Sequence, residues 1–187
     1  PQVADLLQKA PADLSGLPFE ELVVPDYLDN FHRTLEAARQ EQQIQRIDLK
    51  LLDANSIDAM YSGFMASMSS DFNVEHASMI LYTDNENTEG CRTASHETVK
   101  REIGSLFRGH KAICGTLRTE ELKFLFPEGN GVGSAAIMPL GGAEQLGLIA
   151  VGSSDANRYT NKTGTLFLAH IADVIVKLIP NLHDTNH

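Results

Sequence analysis

Cys91, His96, His110 and Cys114 form a C-x4-H…H-x3-C set, the densest group of metal-ligand side chains in the chain. Thiolates and imidazoles are the ligands of a tetrahedral zinc site. Paired CxxC knuckles are missing, however, and a helix-forming stretch separates the two halves, so no metal is expected. Cys91 and Cys114 are the only two cysteines. A thiol becomes a nucleophile when a neighbouring cation lowers its pKa, and His110 or Arg118 could supply that cation to Cys114. The commoner role of such a cysteine is that of a small buried hydrophobe. Arg118 could equally clamp an anionic ligand, although Glu120, Glu121 and Glu128 offer it local ion pairs. Gly129-x-Gly131-x-Gly133 leads into a strand and does not open a helix, so no helix N-terminus stands behind it for a pyrophosphate. It reads as a flexible loop. GxSxG and Walker lysine motifs are missing, and His96-Glu97 does not continue into HExxH.

Composition narrows the remaining classes. At 187 residues with 42% hydrophobic content, the chain suits one globular domain with a real core. A formal charge of −10, from 25 acidic and 15 basic residues, argues against nucleic-acid or anionic-membrane binding. Two cysteines make no disulfide framework, and neither a signal peptide nor an apolar run of bilayer length is visible, so a cytoplasmic setting is expected. The chain begins at Pro1, not Met, which leaves room for a partner domain carrying an output.

The elements that must position these residues follow from spacing. Residues 1–25 are expected to be poorly structured, with turn chemistry at Asp13-Leu14-Ser15-Gly16-Leu17-Pro18. Residues 26–54 hold neither Gly nor Pro and read as one long helix. Leu28, Phe31, Leu35 and Ala38 keep heptad-like spacing, and Ile44, Ile47, Leu51 and Ala54 keep it again out of phase. That pattern is either a solvent-bridging helix packed at both ends or an interrupted dimer seam. Asn55 is placed to cap the next helix, with Asp58 three residues on. Ile57, Met60, Tyr61, Phe64, Met65 and Met68 then form the cleanest amphipathic stripe in the chain. Such methionines line either a core or a ligand groove.

Val74 to Tyr82 is the first expected strand, with Ala77, Met79 and Leu81 on one face and His76, Ser78, Ile80 and Tyr82 on the other. Ser95 caps a helix expected to run through Phe107. A short strand lies within Ala112 to Leu117. Thr119 caps a helix that Pro127 stops. Ser134 to Leu140 and Leu146 to Val151 flank the turn Gly141-Gly142-Ala143-Glu144 and read as a central antiparallel hairpin. The last helix, Thr163 to Ile179, is apolar nearly all round, with a thin polar stripe of His170, Asp173 and Lys177. So wide an apolar arc has more than one face to bury. Residues 181–187 are a tail.

Helix, strand, helices, hairpin, loop, helix is an α+β order with one antiparallel sheet. Pro139-Leu140-Gly141-Gly142, then Leu146 to Gly152, Tyr159, and Leu166 to Ala172 resemble the C-terminal half of GAF domains. More narrowly, the chain resembles the bacterial GAF-like family catalogued as domain of unknown function 484. The matching pieces are Asp71-Phe72, Cys114-Gly115-Thr116-Leu117-Arg118, Glu121 to Phe126, Gly133-Ser134-Ala135-Ala136 and Gly164 to Leu168. The resemblance covers roughly residues 45 to 180 and implies a GAF-like domain over 55–180. It further implies a single antiparallel sheet of five or six strands, helices on one face, and a long N-terminal helix.

The resemblance also implies dimerisation through the terminal helices and a small molecule held between the sheet and the loops opposite the helices. Met79, Cys114, Arg118, Ser134, Met138, Leu148 and Ala150 are the candidate ligand-binding residues on that basis. Similar modules precede diguanylate cyclase domains. Gly141-Gly142-Ala143-Glu144-Gln145 is superficially similar to the GG(D/E)EF signature of those cyclases, but Ala143 and Gln145 replace the carboxylates that would bind metal. The stretch is read as a turn. A GAF-fold enzyme that reduces free methionine sulfoxide with pocket cysteines supplies the catalytic alternative, and only Cys114 lies in a matching segment. The expectation is therefore a non-catalytic sensory or regulatory module without a cofactor. Its alternatives are a thiol-dependent reductase and a ligand-free dimerisation scaffold.

Overall fold

The structure, a computed structural model, describes residues 25–83, 90–106, 111–142, 145–160 and 166–183. The expectations for residues 1–24, Phe107, His110, Ala143, Glu144 and the tail from 184 lie outside the described residues.

Helix α1 runs Pro25–Leu52, as its freedom from Gly and internal Pro predicts. Two compact units divide the chain, residues 1–42 and 43–187, so the boundary falls inside this helix. In the first unit the described side chains from Glu36 to Gln42 are exposed, and Glu36 pairs with Arg39 one turn on at 3.7 Å. In the second unit Ile47 and Leu51 are fully buried. They belong to the later of the two apolar sets read from the sequence.

Within residues 43–187, helix α2 (Ile57–Ser70) starts at Ser56, whose Oγ accepts from the Ala59 N–H at 3.1 Å. Ser56 and not Asn55 is thus the cap, a one-residue correction that puts the hydroxyl in reach of the third helical N–H. Met60, Phe64 and Met68 are fully buried, which by burial alone favours folding by roughly 1.5–3 kcal/mol each. Asp71 closes the helix. Lys50 Nζ reaches its carboxylate at 2.7 Å, Arg46 approaches at 4.0 Å, and Gln43 donates to its carbonyl. These three lie on one stripe of α1, so α1 is fastened along its last turns to the end of α2.

Five strands follow: β1 (His76–Tyr82), β2 (Thr93–Ala94), β3 (Ile113–Gly115), β4 (Ser134–Leu140) and β5 (Gly147–Ser153). Their order is β2-β1-β5-β4-β3. The expected hairpin is the centre of the sheet, with Ser134 opposite Ser153 and Leu140 opposite Gly147. Gly141 takes φ +88° at its turn, a value a Cβ resists. β2 departs from the antiparallel expectation, because it runs parallel to β1 at two positions only, Leu81 with Thr93 and Tyr82 with Ala94. A strand of two residues carries no periodicity, so sequence reading missed it.

Helix α3 (His96–Ile103) is capped by Ser95 as expected, but it ends at Gly104, whose N–H returns to Lys100 O. Helix α4 (Thr119–Leu125) is preceded by Arg118 at the cap position, and Thr119 is its first residue. The Arg118 N–H donates to Glu121 Oε2 at 2.8 Å, which satisfies a free helix-end donor without a hydroxyl. Helix α5 (Leu166–His183) continues past Ile179 through Pro180. A proline that near the C-terminal end sacrifices one hydrogen bond where few remain to be lost.

The pleat divides the core in two, as the β1 pattern predicts. Met79, Leu81, Ala136, Met138, Leu140, Ile149 and Val151 join Ile47, Leu51, α2 and the Leu168, Ile171, Ile175, Ile179 stripe of α5. On the other face Ile80, Ala135, Ile137, Leu148 and Ala150 pack with Val99 and Ile103 of α3 and Leu125 of α4. The long helices therefore share one face, and the short helices and their loops close the other.

Candidate functional site

β1 is longer than its neighbour, and this opens a site. The Leu81 N–H donates to Arg92 O at 3.0 Å and the Tyr82 N–H to Leu146 O at 2.8 Å, in opposite directions. Alternation along the strand turns the main-chain N–H and C=O of Ala77 the same way as those of Leu81, away from β5. Among the described residues Ala77 has no strand partner on that side. A cavity of about 530 Å³ lies there, within the range of small-molecule pockets. Tyr61 and Met65 of α2 wall it on the long-helix side. Leu125, Phe126, Pro127 and Gly129 wall it on the other, and Glu75, His76, Ser78, Arg92 and Glu128 supply polar groups.

Arg92 reaches from the turn before β2 to the end of α4. Its Nη1 donates to Leu125 O at 2.9 Å and its Nη2 to Phe124 O, with Ser78 Oγ 3.5 Å from Nη1. The guanidinium carbon stands 5.2 Å from the centre of the Phe124 ring. These carbonyls belong to the last turn of α4, where a cation complements unsatisfied C=O groups. Arg92 makes no ion pair with a carboxylate among the described residues, and burial lowers its pKa. Glu75 turns both oxygens toward the end of β5. Oε1 accepts from Ser153 Oγ at 2.5 Å and Oε2 from the Ser154 N–H at 2.8 Å, with Arg158 3.6 Å away. Those hydrogen bonds hold its pKa at about 2. Burial raises the pKa of Tyr61, with the nearby Cys91 adding to the effect.

None of the seven candidates chosen from sequence is among the residues lining this cavity. Met79 and Met138 pack in the long-helix core, and Cys114 lies half-buried against it. Ser134 is fully buried; its Oγ donates to Asp155 O at 2.5 Å and accepts from the Tyr159 N–H at 3.2 Å. Leu148 and Ala150 are fully buried in the opposite core. Arg118 is exposed at the start of α4. Six of the seven thus lie on strands, divided between the two faces of one sheet, and Arg118 lies outside it. Sequence reasoning passed over Arg92, Tyr61, Met65, His76 and Ser78 as site residues. The amphipathic stripe held two of them, but nothing in the spacing of Arg92 marked it.

The cysteines are separated too. Cys91 precedes β2 at one edge of the sheet, and Cys114 lies on β3 at the other. Four strand spacings amount to about 19 Å, so the two thiols share neither a metal ion nor a disulfide. Cys91 is buried, which pushes its thiol up to about 12, and burial also raises Cys114. Neither has the lowered pKa of a reactive thiolate. No group of three or more potential metal ligands occurs among the described residues.

Comparison with known proteins places this geometry. The family model described as "Protein of unknown function, DUF484" matches residues 31–184. The chain belongs to this family. Among curated relatives it is 28% identical over 134 residues to the uncharacterized protein YigA of Escherichia coli (strain K12), and equally to that of Shigella flexneri. The match takes in 69% of this chain and spans 57% of the relatives' length. Among solved structures the fold is similar to the phycocyanobilin-bound GAF domain of a cyanobacterial phytochrome. The TM-score is 0.56 at 13% identity, covering 79% of this chain and 97% of that one. A phycoerythrobilin-bound GAF domain from a cyanobacterial phytochrome gives 0.55 at the same identity and coverage. The DUF484 fold seen here is therefore GAF-like. Among the described residues no helix is long and apolar enough to cross a membrane.

Proposed function

We propose that this DUF484 chain is a non-catalytic sensory or regulatory module of the cytoplasm. In this reading it holds a small molecule or partner in the cavity beside β1. It passes the binding event through its terminal helices in a homodimer, to an output such as a diguanylate cyclase domain. Nucleic acid and membranes have no part in it. The observation that carries the proposal is that one helix serves both ends of the path. Tyr61 and Met65 of α2 wall the cavity, while Asp71 at the end of α2 holds Lys50, Arg46 and Gln43 of α1. An occupant that prefers one position of α2 biases α1, provided its affinity differs between the two arrangements. Exposed Leu49, Leu52 and Leu166 on the terminal helices, 62–83% accessible, support burial against a second copy. Raised thiol pKa values at opposite sheet edges support the non-catalytic part.

One observation favours the scaffold reading in second place. The space between the sheet and α3 and α4 is filled by Ile80, Ile103, Leu125, Ile137 and Leu148, all fully buried. Native mass spectrometry of freshly purified protein separates the two. A dimer with a discrete extra mass supports the sensor, and a dimer at bare chain mass favours the scaffold. A monomer removes the dimer from both.

A further inference from the structure

We propose that the cavity beside β1 binds a small organic monoanion, a carboxylate on an apolar body, with Arg92 as its counter-charge. The proposal rests on the reading of this cavity as the module's ligand site.

Charge is the first argument. Arg92 is half-buried, lines the cavity and has no carboxylate partner among the described residues. A desolvated charge without a counter-charge is costly. The carbonyls of Phe124 and Leu125 offset it only as dipoles. A guanidinium has five N–H donors, and Nε makes no hydrogen bond among the described residues. Arg92 can therefore keep its hold on α4 and still donate to an incoming oxygen. The Ser78 hydroxyl and the N–H of Ala77, which has no strand partner on that side among the described residues, border the same space and add neutral donors.

The second argument selects the kind of anion. Glu75 is occupied by Ser153 and Ser154 and does not compete for Arg92, yet its charge and that of Glu128 stand at the cavity wall. Those two carboxylates repel a phosphate dianion about twice as strongly as a monoanion, so a single negative charge is the better match for Arg92. Met65, Leu125, Phe126 and Pro127 form the remaining walls, so the rest of the ligand is apolar.

Isothermal titration of the intact chain tests this with hexanoate and phenylacetate beside hexanamide, phenylacetamide and inorganic phosphate at constant ionic strength. The carboxylates are expected to bind saturably, and their amides at least about tenfold more weakly. Arg92→Gln should remove that preference. Because Arg92 also fastens α4 and its loss endangers the fold, Met65→Phe is the second variant. It keeps Arg92, narrows the cavity and should abolish binding while leaving the melting temperature in place. Amides that match the acids, phosphate that outbinds them, no heat from either carboxylate, or binding unaffected by Met65→Phe would each overturn the proposal. A neutral molecule retained in native mass spectrometry and lost in Met65→Phe would overturn the anion and leave the sensor. A carboxylate that binds here without changing amide exchange in residues 43–52 would leave the anion and overturn the sensor.

Discussion

Glu75 shows how a side chain open to solvent can still be held to one protonation state. It accepts from Ser153 and Ser154, and its pKa falls from an ordinary 4.5 to about 2. A carboxyl depressed in the folded state stabilises the fold fully above its unfolded pKa, and the contribution disappears as pH falls through the folded value. The difference in urea midpoint between wild type and Glu75→Gln should thus be constant above about pH 4.5 and vanish on acidification toward about pH 2. A difference that persists at the acid end would show that the hydrogen bonds act independently of charge. The neighbouring hydroxyl of Ser134 links β4 to the loop after β5 through Asp155 and Tyr159. Its identity as a serine was visible in the sequence. That its hydroxyl proton goes to Asp155 O and one lone pair to the Tyr159 N–H was not.

At the scale of elements, the central hairpin and the loop after it depend on a close approach. A Cβ built on Gly133 would stand 2.5 Å from Ser154 O and 2.9 Å from Ala156 N, both main-chain atoms. Gly133→Ala must push one strand entry away from the other. It should cost about 1–3 kcal/mol, read from the denaturation midpoint; a neutral effect would mean that the loop yields freely. The long elements were legible from spacing alone. α1, the α2 stripe and the two faces of β1 repeat an apolar period, the hairpin strands are apolar runs about a glycine turn, and α5 is apolar nearly all round. Caps were legible only to within a residue, because Asn55, Ser56 and Thr119 are all good N-caps by type and local geometry chose among them. β2 was illegible, since two residues held by an edge contain no period.

The whole of residues 43–187 is organised by a sheet buried on both faces. β1, β4 and β5 each contribute alternate residues to the long-helix core and to the short-helix core. Neither core can melt without freeing strands the other needs, so the unit should unfold in one step. Ile137→Ala, in the short-helix core, is expected to cost about 2–5 kcal/mol. It should shift far-ultraviolet circular dichroism and tyrosine fluorescence midpoints together. Separated midpoints would show that the two layers are independent.

Short matching segments carried the resemblance to the family, and the sequence by itself determined the α+β order, the central hairpin, the α2 stripe and the two faces of β1. These follow from periodicity and from residues adjacent along the chain. Only the tertiary structure assembled the walls of the cavity beside β1. Tyr61 of α2, Ser78 of β1 and Arg92 of the turn before β2 come together beside the stretch of β1 that, among the described residues, β2 does not pair. It likewise parted Cys91 from Cys114, which the sequence brings within two dozen positions of each other, by the width of the sheet. Strand order obeys long-range packing, and spacing along the chain carries no record of it.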